Sequence, residues 1–208
     1  MIAGAVLAGG KSTRLGTDKT KLSLENAGED LLHSTFACLN SIVNECWIVC
    51  RKEQTFVDVP IIHDAFSDCG PAAGIYTALQ HASVRGYRAV FVLSADLPFI
   101  DRDCIKKLVK AWLGSEDALL TAYFNRTIAK TEMLAAIYSV RAIPLFRRAI
   151  MHNLLKLNAI IPWQERHLLY TTEREEQALF NINTPADLLQ AQKYWATKKP
   201  DNTESPGF

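Results

Sequence analysis

The residues best suited to chemistry lie in a polar loop that follows an apolar run near the amino terminus. The run Ile2 to Leu7 is short and ends at Gly9 and Gly10, which predicts a buried strand of a parallel sheet. Glycines at the end of such a strand let backbone N–H groups approach an anion without hindrance from Cβ. Arg14 adds a forked cationic donor and Lys19 a mobile positive charge. The loop therefore predicts a triphosphate cradle, although its spacing equally allows a glycine turn with two solvated cations.

Carboxylates follow two other predicted strands. Asp64 ends the apolar run 60–64, and Asp96 follows the buried run 89–94. Because ligands of an open parallel sheet bind beyond the carboxyl ends of its strands, we expect both carboxylates to lie near the loop. Asp96 is the candidate Mg²⁺ ligand, since this ion is usually held by one or two carboxylates together with phosphate oxygens, and a turn cap is the alternative. Asp64 could accept from a sugar hydroxyl or a base edge, or simply start the next loop.

Two amides end the last predicted strand, 178–183. Asn181 and Asn183 alternate around one apolar residue, which predicts that both side chains lie on the same face of the strand. Thr184 and Pro185 then predict the start of a helix, whose free N–H groups favour a nearby phosphate. We hypothesise that both amides belong to the half of the site that holds the acceptor substrate. The alternative is that they only bridge the strand to the helix cap.

Strands alternate with helices along the chain. Further strands are predicted over 46–50, 118–122 and 134–138, and helices are predicted to begin at Asp30, Pro71, Asp101 or Asp103, and Pro144. The alternation predicts an α/β protein with a three-layer α/β/α arrangement and a mostly parallel sheet. We expect one domain over residues 1–196 and a flexible polar tail over 197–208.

Composition narrows the function classes. The chain has 208 residues, of which 49% are hydrophobic and 22% charged, so it is neither disordered nor fibrous. A net charge of +1 does not favour non-specific nucleic-acid binding. Five cysteines without a C-x-x-C pair fit a reducing cytosol, and no apolar stretch is long enough to span a bilayer. We expect a soluble cytoplasmic protein that binds small molecules, with neither nucleic acid nor a membrane as partner. Without a nucleophile-elbow pattern, acyl-transfer hydrolysis is disfavoured.

A series of motifs resembles one enzyme family over nearly the whole chain, from Ala5 to Leu188. In order they are LAGGKSTRLGTDK at 7–19, Asp64, GPAAGI at 70–75, SADLPF at 94–99 and NINTPADL at 181–188. They resemble the nucleotidyltransferases that act on the molybdenum cofactor, the MobA-like family, and the guanylyltransferases match best. This resemblance implies a Rossmann-like nucleotidyltransferase fold. It also implies Mg²⁺-dependent transfer of GMP from GTP to the terminal phosphate of molybdopterin or its molybdenum-loaded form, with release of pyrophosphate.

The resemblance also implies roles for individual residues. Nucleotide binding falls to Leu7, Ala8, Gly9, Gly10, Lys19, Asp64 and Asp96. Catalysis falls to Arg14, Lys19 and Asp96, with Asp96 as the metal ligand, and pterin binding falls to Asn181 and Asn183. The position after the second strand, where the family often has a polar nucleotide contact, holds Cys50 or Arg51. GTP and molybdopterin are the implied small-molecule partners, and molybdoenzyme-assembly proteins are further candidates.

Two other functions remain open at this stage. A cytidylyltransferase for molybdopterin or for a sugar or polyol phosphate would keep the fold and the Mg²⁺ site, but the LAGG start at 7–10 is more typical of guanine enzymes. A non-catalytic nucleotide-binding adaptor of molybdoenzyme assembly is the second alternative. Retention of Arg14, Lys19 and Asp96 together argues against an adaptor.

Overall fold

A computed structural model describes residues 1–8, 30–66 and 69–198. Within these ranges, seven strands form one sheet in the order β3-β2-β1-β4-β6-β5-β7. The strands are β1 (Ile2–Leu7), β2 (Cys46–Cys50), β3 (Ile61–His63), β4 (Ala89–Ser94), β5 (Leu120–Asn125), β6 (Lys130–Ser139) and β7 (Arg166–Tyr170). Strand β6 runs antiparallel to both of its neighbours, and the other pairings are parallel. The predicted mostly parallel sheet is confirmed.

Helices cover both faces of this sheet. In the described ranges they are α1 (Leu31–Asn40), α2 (Gly70–Val84), α3 (Arg102–Leu113), α4 (Ile143–Met151), α5 (Leu157–Ile160), α6 (Glu173–Ala178) and α7 (Pro185–Lys198). Because side chains alternate along a strand, β1 contributes to two cores. Val6 packs with residues of α1 and α3, whereas Ala5 packs with residues of α2 and α4. The three-layer prediction is therefore confirmed.

Three predicted helix starts have the expected caps. The Asp30 carboxylate accepts a hydrogen bond from the His33 amide at 2.9 Å at the start of α1. Asp101 caps α3 by accepting from the Cys104 amide at 2.8 Å. At the start of α7 the hydroxyl of Thr184 accepts from the amide of Asp187 at 3.2 Å. Each side chain satisfies a backbone donor that the first helical turn leaves unpaired.

The predicted strand over 178–183 is wrong. Its first residue is the end of α6, and the segment that follows is irregular. Leu179 and Ile182 are buried by packing against helices and loops, so the apolar signal reflected packing and not a sheet ladder. The segment is attached to the sheet edge by a hydrogen bond from the Ile182 amide to the Asp96 carbonyl, at 3.0 Å.

At the carboxyl end, α7 continues to Lys198, beyond the predicted boundary at 196. Residues 199–208 lie outside the described residues, so a flexible tail there stays a prediction.

Candidate active site

The carboxyl ends of four adjacent parallel strands meet at one edge of the sheet. In the strand register, Leu7 at the end of β1 pairs with Val49 and Ser94, and Cys50 at the end of β2 pairs with His63. Asp64 follows β3 directly, and Asp96 follows β4 by one residue. The register thus brings Leu7, Asp64 and Asp96 to the same edge, as the sequence predicted.

Asp64 has a buried carboxylate oxygen that no described group satisfies. Its amide continues the β2–β3 ladder by donating to the Cys50 carbonyl at 2.8 Å, which fixes the backbone. Oδ1 is buried and has no hydrogen-bond partner within the described part of the chain. Burial raises the pKa of this carboxyl from 3.8 to about 6. An unsatisfied buried acceptor costs free energy that a donating ligand would recover.

Gly74, in the first half of α2, makes a close contact with this region. A Cβ on Gly74 would lie 3.1 Å from Leu7 Cδ2 and 3.4 Å from Asp64 Oδ1. Leu7, Asp64 and Gly74 therefore form one wall of the site. Sequence reasoning included Gly74 in a motif but missed this contact. The available signal was a glycine inside a helix, which costs about 1 kcal/mol relative to alanine and so indicates a close approach.

Asp96 lies in the turn between β4 and α3. Just before Asp96, the Ala95 amide donates a hydrogen bond to the Leu7 carbonyl at 3.4 Å. The turn ends at Asp101, the N-cap of α3. The Asp96 side chain is partly buried, and its Oδ1 atom is buried. Its carbonyl accepts from Ile182, so Asp96 connects the strand edge with the segment that carries the two asparagines.

The two asparagines differ in their surroundings. Asn181 is partly buried, and its Oδ1 is a buried acceptor without a hydrogen-bond partner in the described part of the protein. Asn183 is exposed, and its backbone N–H donates to the Asp187 carboxylate at 2.9 Å. Because the segment is not a strand, the expected sharing of one face by strand alternation does not hold.

The glycine-rich loop lies outside the described residues. This applies to Gly9, Gly10, Arg14 and Lys19, so their predicted roles stay predictions. Ala8, the last described residue before the loop, is buried, and its amide donates to the Val49 carbonyl at 2.9 Å. Ala8 therefore lies at the same edge as the carboxylates.

The last residue of β2 and the residue that follows it differ in exposure. Cys50 is fully buried, and its Sγ lies 3.7 Å from the Gln54 carbonyl. Burial raises the pKa of its thiol to about 11, and the Asp64 charge adds to this effect. Arg51 is exposed. A nucleotide contact by either residue stays a prediction.

The described ranges lack a metal-binding cluster and a membrane-spanning helix. Residues 1–8, 30–66 and 69–198 contain no group of three or more His, Cys, Asp or Glu side chains placed to hold a metal ion. Among the same residues, every helix is too short or too polar to cross a membrane.

A mostly parallel sheet with helices on both faces and carboxylates after β3 and β4 defines an α/β protein of the class that binds its ligands at the carboxyl ends of the strands. The comparisons identify the family. Residues 4–167 match the family model of the MobA-like NTP transferase domain, and the chain belongs to this family.

Relatives and solved structures agree with this assignment. A probable molybdenum cofactor guanylyltransferase of Rhodopirellula baltica is 30% identical over 193 residues, which cover 90% of each chain. One from Aquifex aeolicus is 29% identical over 188 residues, covering 88% of this chain and 86% of the relative. The crystal structure of molybdopterin-guanine dinucleotide biosynthesis protein A from Archaeoglobus fulgidus has a TM-score of 0.76 at 25% identity, covering 94% of this chain and 99% of the other.

Proposed function

We propose that this protein transfers GMP from GTP to the terminal phosphate of molybdopterin or its molybdenum-loaded form. A phosphate oxygen of the acceptor attacks the α-phosphorus of GTP and forms a new P–O bond. The bond between the α-phosphorus and the bridging oxygen breaks, and pyrophosphate leaves with that electron pair. The names of the relatives support the choice of substrates, and the carboxylates at the sheet edge support the chemistry.

The observation that carries the proposal is the buried Oδ1 of Asp64, which lies beside Leu7 and Gly74 and has no hydrogen-bond partner among the described residues. We assign Asp64 to the base of the nucleotide. Guanine presents two neighbouring donors, N1–H and N2–H₂, to a carboxylate, which accepts hydrogen bonds only. Cytosine presents one amino donor next to an acceptor nitrogen, so a carboxylate matches guanine better.

The phosphates would meet the cations of the glycine-rich loop. In this proposal Arg14 and Lys19 pair with the triphosphate and the departing pyrophosphate. A phosphate monoester is already ionised near neutral pH, so the site needs alignment and charge neutralisation and no protein nucleophile. Asn181, with its buried acceptor, and Asn183 would contact the pterin acceptor.

The donor set at the edge fits Mg²⁺. Asp96 offers a carboxylate on a backbone held by β4 and by the bond to Ile182. Protein sites commonly hold Mg²⁺ through one or two carboxylates together with substrate phosphates, so a larger cluster of acidic residues is not required. Bound Mg²⁺ would neutralise the charge on the triphosphate. Asp96 would hold it.

We further propose a cytoplasmic location, which five free cysteines support, since free thiols are typical of a reducing compartment. Binding to molybdoenzyme-assembly proteins stays a prediction.

The test is transfer by the purified protein. Molybdopterin is offered with GTP or with CTP, and pyrophosphate release and the mass of the dinucleotide product are measured. We expect turnover with GTP. Equal turnover with CTP would support a cytidylyltransferase, and nucleotide binding without any transfer would support the adaptor.

An Asp64→Asn variant tests the base assignment in the same assay. It should lose the preference for GTP, because its amide N–H₂ faces the donors of guanine. Asp58→Asn is the matched control, since Asp58 is exposed and its φ of 61° is one that asparagine also adopts. A retained preference in Asp64→Asn would overturn the assignment.

A further inference from the structure

Helix α6, which leads into the Asn181 segment, is fastened to α3 by ion pairs. Arg174 donates to Asp101 at 3.0 Å and to Asp103 at 2.8 Å. Lys107 of α3 donates to Glu175. We call these five residues, Asp101, Asp103, Lys107, Arg174 and Glu175, the α6 clamp.

Glu175 is the buried member of the clamp, with 7% of its surface exposed. One carboxylate oxygen accepts from Lys107, and the other accepts from the amide of Thr172 at 2.8 Å and from its hydroxyl. Burial raises the pKa of this carboxyl, but the hydrogen bonds from Lys107 and Thr172 outweigh burial and hold it below its ordinary value. The charged side chain is therefore fully partnered, and its partners fix where α6 begins against α3.

The clamp also reaches the catalytic edge. Asp101 ends the turn that Asp96 begins, so Arg174 connects α6 to one end of this turn. Eight residues after Arg174, the Ile182 amide donates to the Asp96 carbonyl at the other end. The turn 96–101 and the segment 174–182 are thus joined at both ends, and Asn181 lies within the joined segment.

We infer that Glu175 is a positioning residue for the acceptor substrate, which acts by holding α6 so that the Asn181 amide keeps a fixed place relative to Asp96. This inference rests on the proposed function. Glu175 does not contact substrate, because it is buried and both of its oxygens are occupied by Lys107 and Thr172. The ion pairs to α3 therefore contribute to acceptor recognition as well as to stability.

The test variant is Glu175→Gln, which keeps the size of the side chain and one acceptor oxygen but removes the charge that faces Lys107. The KM for molybdopterin should rise about tenfold, the scale expected when a contacting group is displaced by part of an ångström. The Kd for GTP should stay within about twofold, because the clamp joins α6 to α3, whereas Leu7, Asp64 and Gly74 lie in β1, after β3 and in α2. Glu116→Gln is the control, because it removes an ion pair with Arg88 next to the opposite end of β4.

A double-mutant cycle separates positioning from a merely structural role. In an Asn181→Ala background, Glu175→Gln should no longer change the KM for molybdopterin, because no amide remains to be positioned. A lower melting temperature with an unchanged KM in both backgrounds would overturn the inference. If Glu175→Gln does not fold, the exposed Arg174→Gln replaces it, with a smaller rise in KM expected and an unchanged KM counting against the inference.

Hydrogen exchange gives a readout that does not depend on turnover. The Ile182 amide, which donates to Asp96, should exchange faster in Glu175→Gln than in the wild type. In Glu116→Gln its exchange rate should equal that of the wild type. An unchanged Ile182 rate in Glu175→Gln would overturn the inference whatever the reaction is. If the wild type does not transfer GMP, the proposed function is wrong. The exchange rate of the Ile182 amide would still show whether the clamp holds the segment 174–182.

Discussion

The pH dependence of GTP binding tests the role of Asp64 quantitatively. Burial raises the pKa of this carboxyl to about 6, and only the ionised form can accept both donors of guanine. A group with a pKa of about 6 is roughly nine-tenths ionised at pH 7 and one-tenth ionised at pH 5, since each pH unit changes the ratio of the two forms tenfold. The contribution of Asp64 to GTP affinity should therefore fall about tenfold between pH 7 and pH 5.

The measurement is the ratio of the GTP dissociation constants of Asp64→Asn and the wild type, from titrations between pH 5 and pH 8 without acceptor. The ratio is needed because a terminal phosphate of GTP also titrates near pH 6, and this effect is common to both proteins. We expect the advantage of the wild type to be constant above pH 7 and to shrink as the pH falls. Parallel pH profiles for the two proteins would refute the assignment of Asp64 to the base.

The raised pKa of Asp64 also makes the free energy of unfolding depend on pH. A carboxyl whose pKa is raised on folding binds more protons in the folded than in the unfolded protein, so its ionisation destabilises the fold. The cost is present above about pH 6 and is relieved as the pH falls toward 4. At pH 8, Asp64→Asn should therefore be more stable than the wild type by about 1–3 kcal/mol, and this gain should disappear near pH 4. A less stable Asn variant at pH 8 would show that the carboxylate is satisfied in the free protein.

Three further substitutions test the rest of the site. Gly74→Ala should weaken GTP binding. It should change the free energy of unfolding by less than about 1 kcal/mol, because the gain in helix propensity offsets the close contact of the new Cβ with Leu7. Gly114→Ala is the control: its new Cβ has ordinary contacts, so GTP binding should not change. Asp96→Asn should abolish Mg²⁺-dependent transfer with an unchanged melting temperature, and normal turnover would remove the metal assignment. Lys19→Ala should weaken GTP binding by about 1.5–3 kcal/mol through the loss of a charge-assisted contact, and an unchanged titration would contradict its role.

The predictions that held depend on local patterns. Asp30, Asp101 and Thr184 were identifiable as caps because a short polar side chain before an apolar helical pattern has one favourable use. The positions of Asp64 and Asp96 followed from the rule that parallel strands end at a common edge. Both inferences need only a few neighbouring residues and the direction of the strand.

The features that sequence reasoning missed depend on contacts between distant residues. Lys107 and Glu175 are 68 positions apart in the sequence. Gly74 lies next to Leu7 in the structure although the two residues are far apart in the sequence. The strand wrongly predicted over 178–183 has the same origin, because its apolar residues are buried by helix packing that no local period distinguishes from a sheet.

The proposed nucleotide and acceptor halves of the site are consequently built in different ways. On the nucleotide side, Leu7 lies in the β-ladder and Asp64 directly after it, so their spacing is set by the same hydrogen bonds that hold the sheet. On the acceptor side, Asn181 lies in an irregular segment attached through the Ile182–Asp96 bond and the α6 clamp. Substitutions that move the acceptor side disturb few backbone hydrogen bonds, whereas those that move the nucleotide side disturb the sheet. Acceptor preference should therefore be easier to change than nucleotide preference in this protein, and α6 is the element through which such a change can act.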